Sequence, residues 1–171
     1  MTGSGPLLGI VLPTRGVVLA GGDSPDARLI VKMARLAEDA GVDSVWVGDS
    51  LVAKPRLEPL TALAAVAAST SRVRMGTSVL LAALRHPVLL AQTAATVDQL
   101  SEGRLTLAMG VGGAFTDAQQ NEWATAGVEK RTRATRVEEI VEVMRGLWSG
   151  DPVTFHGKHF DLDDVSLGYR P

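Results

Sequence analysis

The chain has 171 residues, of which 46% are hydrophobic and 4% aromatic, and its formal net charge is −2. This length allows one sizeable core, so we expect a single domain over residues 1–171, and the weak charge and few aromatic rings argue against nucleic-acid binding. Because the chain has no cysteine, it can form neither a disulfide nor a thiolate site.

The first half of the chain alternates short apolar runs with helical patterns. Leu7–Leu12 is predicted to be a strand, and a helix capped by Ser24 follows it. Val45–Val47 is predicted to be the second strand, Pro59 the start of the next helix, and Val73–Leu81 the third strand. The residues predicted to face the core from these two helices are Leu29, Met33, Leu36, Ala37 and Ala40, then Leu60, Leu63, Ala64 and Ala67.

The second half continues the same alternation. A helix is predicted to begin after His86 and to end at Gly103, and Leu105–Met109 is predicted to be the fourth strand. A polar segment leads to a long amphipathic helix. The predicted inner faces of these helices are Leu90, Ala94, Val97 and Leu100, then Val137, Ile140, Val141, Met144, Leu147 and Trp148. A small hairpin is predicted at the end, with strands Val153–Phe155 and His159–Asp161 around Gly157 and Lys158.

Four strand–helix units in a row predict an α/β fold with a parallel sheet. A closed TIM (β/α)8 barrel needs about 250 residues, so this chain holds about half of one, the first four βα units, plus the hairpin. An open doubly wound parallel sheet is the alternative, because it could be completed at this length.

Small or polar residues follow each predicted strand, at Thr14-Arg15, Asp49-Ser50, Thr77-Ser78 and Gly110–Gly113. The carboxyl ends of parallel strands share one edge of the sheet, so these residues are expected to converge there. Asp49 could accept a hydrogen bond from a ligand or cap a turn. Gly110, Gly112 and Gly113 could leave room for a planar ring or a phosphate, or serve only the turn.

Other polar residues favour ordinary structural roles. His86 precedes Pro87 and is expected to cap a helix, with a catalytic role as a weak candidate. No pattern of metal ligands is present, so no metal site is expected. Two groups of acidic residues are expected to be solvated, namely Asp161, Asp163 and Asp164, and Glu138, Glu139 and Glu142.

The terminus Met1 to Gly5 lacks the pattern of a secretion signal, and no apolar run reaches the roughly 20 residues that a membrane helix needs. We therefore expect a cytoplasmic protein without membrane partners.

Several stretches, taken in order, resemble the bacterial luciferase-like flavin monooxygenases and their coenzyme F420 (deazaflavin) dependent oxidoreductase relatives. The resemblance spans nearly the whole chain, and its specificity comes from the ordered set. The stretches are 37–41, 44–50, 71–80, Arg85-His86-Pro87, Asp98–Arg104, Gly110–Gly113, Leu147–Gly150 and Phe155–Phe160.

The resemblance implies a TIM barrel of which this chain is the amino-terminal half. It also implies that Ser78-Val79 forms the non-proline cis peptide bond behind the cofactor ring, and that Asp49 is the acidic residue facing that ring. The cofactor implied is coenzyme F420, with FMN as the alternative. The partners implied are a small-molecule substrate and either further copies of the chain or a missing carboxyl-terminal half-barrel.

Two positions depart from the sugar- and alcohol-oxidising relatives. Ser50 stands where those relatives carry a histidine, and Gly113 stands at the position of their general acid. The resemblance therefore favours a reductase or monooxygenase that relies on its cofactor, transferring hydride to or from a small organic substrate. The alternatives are an FMN-dependent monooxygenase of the same family, and a non-catalytic half-barrel module or inactive truncated chain.

Overall fold

The computed structural model describes residues 6–171, and its centre is a four-stranded parallel sheet. The strands lie side by side in chain order: β1 (Gly9–Val11), β2 (Ser44–Val47), β3 (Arg74–Leu80) and β4 (Leu105–Met109). The expectation for Met1 to Gly5 lies outside the described residues. Within residues 6–171 no helix is long and apolar enough to cross a membrane.

Helices follow the strands and cover one face of the sheet. They are α1 (Thr14–Gly21), α2 (Arg28–Asp39), α3 (Pro59–Ala67), α4 (Pro87–Ser101), α5 (Asp117–Thr125) and α6 (Arg133–Ser149). Because side chains alternate across a strand, Val45 and Val47 of β2 point to this helical face together with Met75 and Thr77 of β3, and all four are buried. The predicted parallel half-barrel is confirmed.

The helix starts at the two prolines are confirmed, and both have side-chain caps. The Glu58 carboxylate accepts a 2.7 Å hydrogen bond from the backbone N–H of Thr61, one turn into α3. The ring of His86 accepts one from the N–H of Val88 at 3.3 Å, at the start of α4. These caps satisfy backbone donors that a helix start leaves free.

Two helices were not predicted from the sequence. Helix α1 begins directly after the first strand, which covers only Gly9–Val11 instead of the predicted Leu7–Leu12. Helix α5 lies in the segment predicted to be merely polar. Its amino terminus is a capping box between Thr116 and Gln119, and only Glu122 and Trp123 among its residues are buried. With two buried residues, α5 has no apolar periodicity that a sequence pattern could show.

Some details of the predicted helices were wrong. Helix α2 begins at Arg28, after a turn around Pro25, and not next to Ser24. Four residues predicted to face the core are exposed, namely Leu29, Leu36, Ala40 and Leu100, whereas Val143 is buried on α6. The helical period places these residues near the border of the apolar stripe, where the neighbouring element decides burial.

The chain ends in an antiparallel hairpin of β5 (Val153–His156) and β6 (Asp161–Val165). The hairpin was predicted, but its second strand is shifted from the predicted His159–Asp161. Its turn is held by Glu139 of α6, whose carboxylate accepts hydrogen bonds from the backbone N–H groups of Lys158, His159 and Phe160. The prediction that Glu139 is merely solvated was therefore wrong.

Candidate functional site

The carboxyl ends of β3 and β4 form the centre of the candidate site. The register pairs Ser78 with Ala108 and then Leu80 with Met109, so Val79 is an extra residue that bulges out of the ladder. The Ser78–Val79 peptide bond is cis, as the resemblance implies. The Val79 side chain is 42% exposed at this edge of the sheet.

Gly110 lies directly against this bulge. Its N–H donates a 2.9 Å hydrogen bond to the carbonyl of Leu80. A Cβ atom at position 110 would come within 2.7 Å of a methyl carbon of Val79, closer than unbonded carbons approach. The absence of a side chain here therefore makes room for Val79. That the glycine also leaves space for a cofactor ring stays a prediction.

The next two glycines lie against the indole of Trp123 in α5. Gly112 has a φ of +67°, and a Cβ there would lie 2.7 Å from the indole ring. The carbonyl of Gly113 accepts a 2.7 Å hydrogen bond from the indole N–H. Both contacts fix the path of the loop after β4 over the helix that follows it.

Asp49 joins the end of β2 to the segment after β3. Its carboxylate accepts a 2.9 Å hydrogen bond from the backbone N–H of Leu81 and forms a two-pronged ion pair with Arg85. The Asp49 side chain is only 2% exposed. Its predicted contact with a cofactor ring stays a prediction, while its contacts with Leu81 and Arg85 are those of a structural connector.

Arg85 extends this connection to α3. Its guanidinium also bonds the carboxylate of Glu58 at 3.1 Å. Burial lowers the pKa of Arg85, but the hydrogen bonds and charges of Asp49 and Glu58 outweigh burial, so its pKa lies above the ordinary value. Three charged side chains, from the loop after β2, the N-cap of α3 and the turn after β3, thus form one network.

A second network joins the loop after β2 to α5 through Glu122, a residue that the sequence analysis did not single out. Glu122 of α5 is 3% exposed, and its carboxylate accepts hydrogen bonds from the Ser50 hydroxyl at 2.6 Å and from the N–H groups of Val52 and Ala53. Burial raises the pKa of Glu122, but these hydrogen bonds outweigh it and hold the pKa below the usual range. The sequence around Glu122 does not indicate this role, because the residues that bond its carboxylate lie about 70 positions earlier in the chain.

The other polar residues considered in the sequence have structural roles away from the Val79 bulge. His86 caps α4, and its ring packs edge-on against Phe160 of the hairpin at 5.6 Å. Thr14, predicted at the mouth, is buried at the start of α1. His156 bonds Asp161 in the hairpin, and this hydrogen bond raises its pKa. Among residues 6–171 there is no group of side chains arranged to hold a metal ion.

The sequence matches the family model of luciferase-like monooxygenases over residues 7–171. The chain therefore belongs to the luciferase-like monooxygenase family, as the resemblance predicted.

Curated relatives include F420-dependent glucose-6-phosphate dehydrogenases. The enzyme from Kineococcus radiotolerans is 39% identical over 143 residues, which are 79% of this chain and 41% of that enzyme. The enzyme from Amycolatopsis mediterranei is 37% identical over 153 residues, or 84% of this chain and 44% of the relative. The chain thus spans less than half the length of these curated relatives.

Solved structures show the same fold over the same partial length. The monooxygenase RslO1 from Streptomyces bottropensis superposes with a TM-score of 0.81 at 28% identity, over 96% of this chain and 50% of that one. The oxygenating constituent of 3,6-diketocamphane monooxygenase from Pseudomonas putida, solved in complex with FMN, superposes with a TM-score of 0.77 at 22% identity, over 91% of this chain and 42% of that one. Both likenesses support the half-barrel.

Proposed function

We propose that this chain forms the ring-binding half of an oxidoreductase in which coenzyme F420 or FMN exchanges hydride with a small organic substrate. The observation that carries the proposal is the exposed Val79 side chain, which bulges from β3 and rests against Gly110 at the carboxyl edge of the sheet. Ligands of α/β sheets bind at this edge. An FMN-dependent monooxygenase of the same family is the alternative.

The residues at this edge fit a flat aromatic ring. Val79 and Val111 are apolar and exposed, and Ser78 is exposed next to them. Apolar surface beside a few polar groups is the usual lining of a small-molecule site. When bound, the flavin or deazaflavin supplies the hydride chemistry, and the residues of this chain bind and orient its ring.

A reductase or monooxygenase fits these residues better than a sugar dehydrogenase does. The Ser50 hydroxyl is committed to the buried carboxylate of Glu122, so the residue after Asp49 cannot serve as a base toward a substrate. Gly113 offers no acidic side chain. The curated relatives named as dehydrogenases of glucose 6-phosphate therefore inform the cofactor of this proposal more than its substrate.

The site proposed here is half of a complete one. The chain spans about half the length of its relatives, and barrels commonly bind ligand phosphates with the loops after strands seven and eight. We propose that an additional stretch of polypeptide, either a second copy or a carboxyl-terminal half-barrel, supplies those loops.

We propose a cytoplasmic location, since a sequence without cysteine suits a reducing compartment.

Titration of the chain with oxidised F420 and, separately, with FMN tests the proposal, with ring fluorescence as the readout. We expect saturable binding of one cofactor below millimolar concentration. Val79→Asp places a charge against the ring and should weaken binding about tenfold, the size of a lost contact worth about 1.4 kcal/mol. Leu89→Asp changes an apolar residue of α4 that is 64% exposed, against 42% for Val79; it is the control and should bind like the parent.

Two results would contradict the proposal. The first is the lack of saturable binding by either cofactor up to millimolar concentration. The second is equal affinity of the parent chain and Val79→Asp.

A non-catalytic half-barrel module is the second candidate function, and the open edges of the sheet favour it.

A further inference from the structure

Both outer strands of the parallel sheet have one unpaired side. Strand β1 is bonded only to β2, and β4 only to β3, among the described residues. Parallel sheets are normally covered on both faces and at their edges, because free backbone N–H and C=O groups pair readily with another strand. The two open edges therefore call for a partner with parallel strands.

The β4 edge carries an apolar recess. A groove of about 490 Å³ runs along the helical face of β4, between α4 and α6. Its lining is mostly apolar and includes Leu105, Leu107, Met109, Met144 and Trp148, together with Asp98, Arg145 and Pro171. Such a groove fits the projecting apolar side chains of another layer of strand and helix.

The β1 edge carries the matching projections. Leu8, just before β1, is 59% exposed, and Leu36 of α2 is 67% exposed. Leu29 is also exposed and lies two helical turns before Leu36, on the same side of α2. Arg35 and Glu38 of α2 bond the chain that follows α3, so they mark the flank facing α3. Leu29 and Leu36 project from the opposite flank, toward the open edge.

The solvent-exposed area of the chain is large enough to include a protein–protein interface. A monomeric protein of 18.0 kDa is expected to expose roughly 8,000 Å². This chain exposes 9519 Å², which is roughly 1,500 Å² more than that expectation. A standard protein–protein interface buries about 800 Å² on each partner, so the excess is enough for a stable association.

We propose that the partner is a second copy of this chain, and that two copies related by a two-fold axis close one eight-stranded parallel barrel. Rotation about the barrel axis keeps all strands parallel and sets β4 of each copy beside β1 of the other. The projections at the β1 edge then enter the groove at the β4 edge twice, as a two-fold interface requires. Eight strands are the number that a barrel of this type closes with.

This assembly extends the proposed function. What it implies for cofactor binding rests on that proposed function. In the closed barrel, β3 and β4 of the second copy take the places of strands seven and eight. The loop Gly110–Gly113 of the second copy then stands where barrels bind ligand phosphates. Each site would combine the Val79 bulge of one copy with the glycine loop of its partner.

Sedimentation velocity of the cofactor-free chain over a wide concentration range tests the assembly. We expect a dimer of about 36 kDa, twice the 18.0 kDa of the chain. Leu36→Lys and Leu8→Lys change exposed residues, so both variants should fold like the parent by circular dichroism but dimerise at least tenfold more weakly. Leu89→Lys is the matched control. Its leucine is 64% exposed on α4, which packs between α3 and α6 of its own chain, so it should dimerise like the parent.

Cross-linking tests which edges meet. Since the chain lacks cysteine, a Leu36→Cys chain can be mixed with an Arg145→Cys chain and treated with a short bis-maleimide. Leu36 is exposed on α2 at the β1 edge, and Arg145 lines the groove at the β4 edge. We expect links between the two variants and none within Leu36→Cys alone, because the two-fold axis sets the two copies of Leu36 on opposite sides of the barrel.

Any of four results would overturn the proposal: a parent chain that stays monomeric, an assembly larger than a dimer, a Leu36→Lys chain that dimerises like the parent, or links within Leu36→Cys alone. A monomer would leave a carboxyl-terminal half-barrel as the occupant of both edges. The sedimentation experiment uses the cofactor-free chain, so it tests the assembly separately from cofactor binding. A dimer that binds neither F420 nor FMN would contradict the proposed function but not the assembly.

Discussion

The hydroxyl of Ser50 donates a 2.6 Å hydrogen bond to the carboxylate of Glu122, which lies 72 residues further along the chain. The same carboxylate oxygen accepts from the N–H groups of Val52 and Ala53. A single buried side chain therefore ties the loop after β2 to α5, the helix that follows the glycine loop after β4. The two loops bordering the Val79 bulge are held as one unit.

Replacing Glu122 should destabilise the fold strongly. Glu122→Ala leaves the buried Ser50 hydroxyl and the backbone N–H groups of Val52 and Ala53 without their acceptor, so we expect a loss of about 2–4 kcal/mol in the free energy of unfolding. Urea denaturation measures it. Glu142→Ala, at an exposed position of α6, should change stability by less than about 0.5 kcal/mol. In a double-mutant cycle with Ser50→Ala, a coupling energy near zero would contradict the hydrogen bond.

Arg85 should matter for stability more than an ordinary surface arginine. Arg85→Ala leaves the Asp49 carboxylate buried with only the N–H of Leu81 as donor. We expect a loss of about 2–4 kcal/mol, below the full cost of breaking a buried ion pair because the arginine is partly exposed. Thermal and urea denaturation measure it. Arg131→Ala is the control, since Arg131 and its partner Glu129 are exposed; a loss equal to that of the control would show that the Asp49 pair is not stabilising.

Stability should fall in acid partly through Glu38. The N–H groups of Ser71, Arg72 and Val73 bond this carboxylate. Burial raises its pKa, but these bonds outweigh burial and bring the pKa from 4.5 to about 2. A lowered folded-state pKa gives stability that is complete above pH 4.5 and is lost as the pH falls toward 2.

The test compares Glu38→Gln with the parent by urea denaturation between pH 7 and pH 2.5. At pH 7 the variant should be less stable by about 1 kcal/mol, since the group is partly exposed and screened. The difference should shrink as the pH drops. A difference that stays constant with pH would rule out the charge of Glu38 as its source.

Gly112 should tolerate alanine less well than another glycine of the same backbone conformation. Gly112→Ala and Gly103→Ala both place a side chain at positive φ, +67° and +78°. At Gly103 nothing lies within 4 Å of the new Cβ, whereas at Gly112 the indole of Trp123 lies 2.7 Å away. We expect a loss of about 1 kcal/mol for Gly103→Ala and about 1–3 kcal/mol more for Gly112→Ala from overpacking.

Tryptophan emission gives this comparison a second readout. It should change in Gly112→Ala, where Trp123 must shift, and stay unchanged in Gly103→Ala. Equal losses of stability and equal emission in the two variants would contradict the packing of Trp123 on the glycine loop.

The sequence predicts the sheet better than it predicts the polar networks. Leu105–Met109 is a strand with the predicted bounds, since a short apolar run between turn residues has few other solutions. Helix α5 was missed because only two of its residues reach the core. The partners of Glu122 and Glu139 could not be predicted, since each lies on another element and no periodicity links them.

In the candidate site too, local features were predicted but contacts between different elements were not. The cis bond at Ser78–Val79 was implied by the resemblance of residues 71–80, which carry the local pattern. The contact of Gly110 with Val79 depends on the register of two parallel strands, which the sequence left open. Arg85 was not proposed as the partner of Asp49, because the turn after β3 that brings it back has no signature in the sequence.

Each strand of the sheet pairs with the strand made just before it, about 30 to 35 positions earlier in the chain. The unit can therefore assemble in the order of its synthesis, because every new strand finds its template already in place on the emerging polypeptide. A nascent chain always has one growing edge, which the next strand and helix cover. Strand β4 presents the last of these edges among the described residues, and the partner proposed above would cover it.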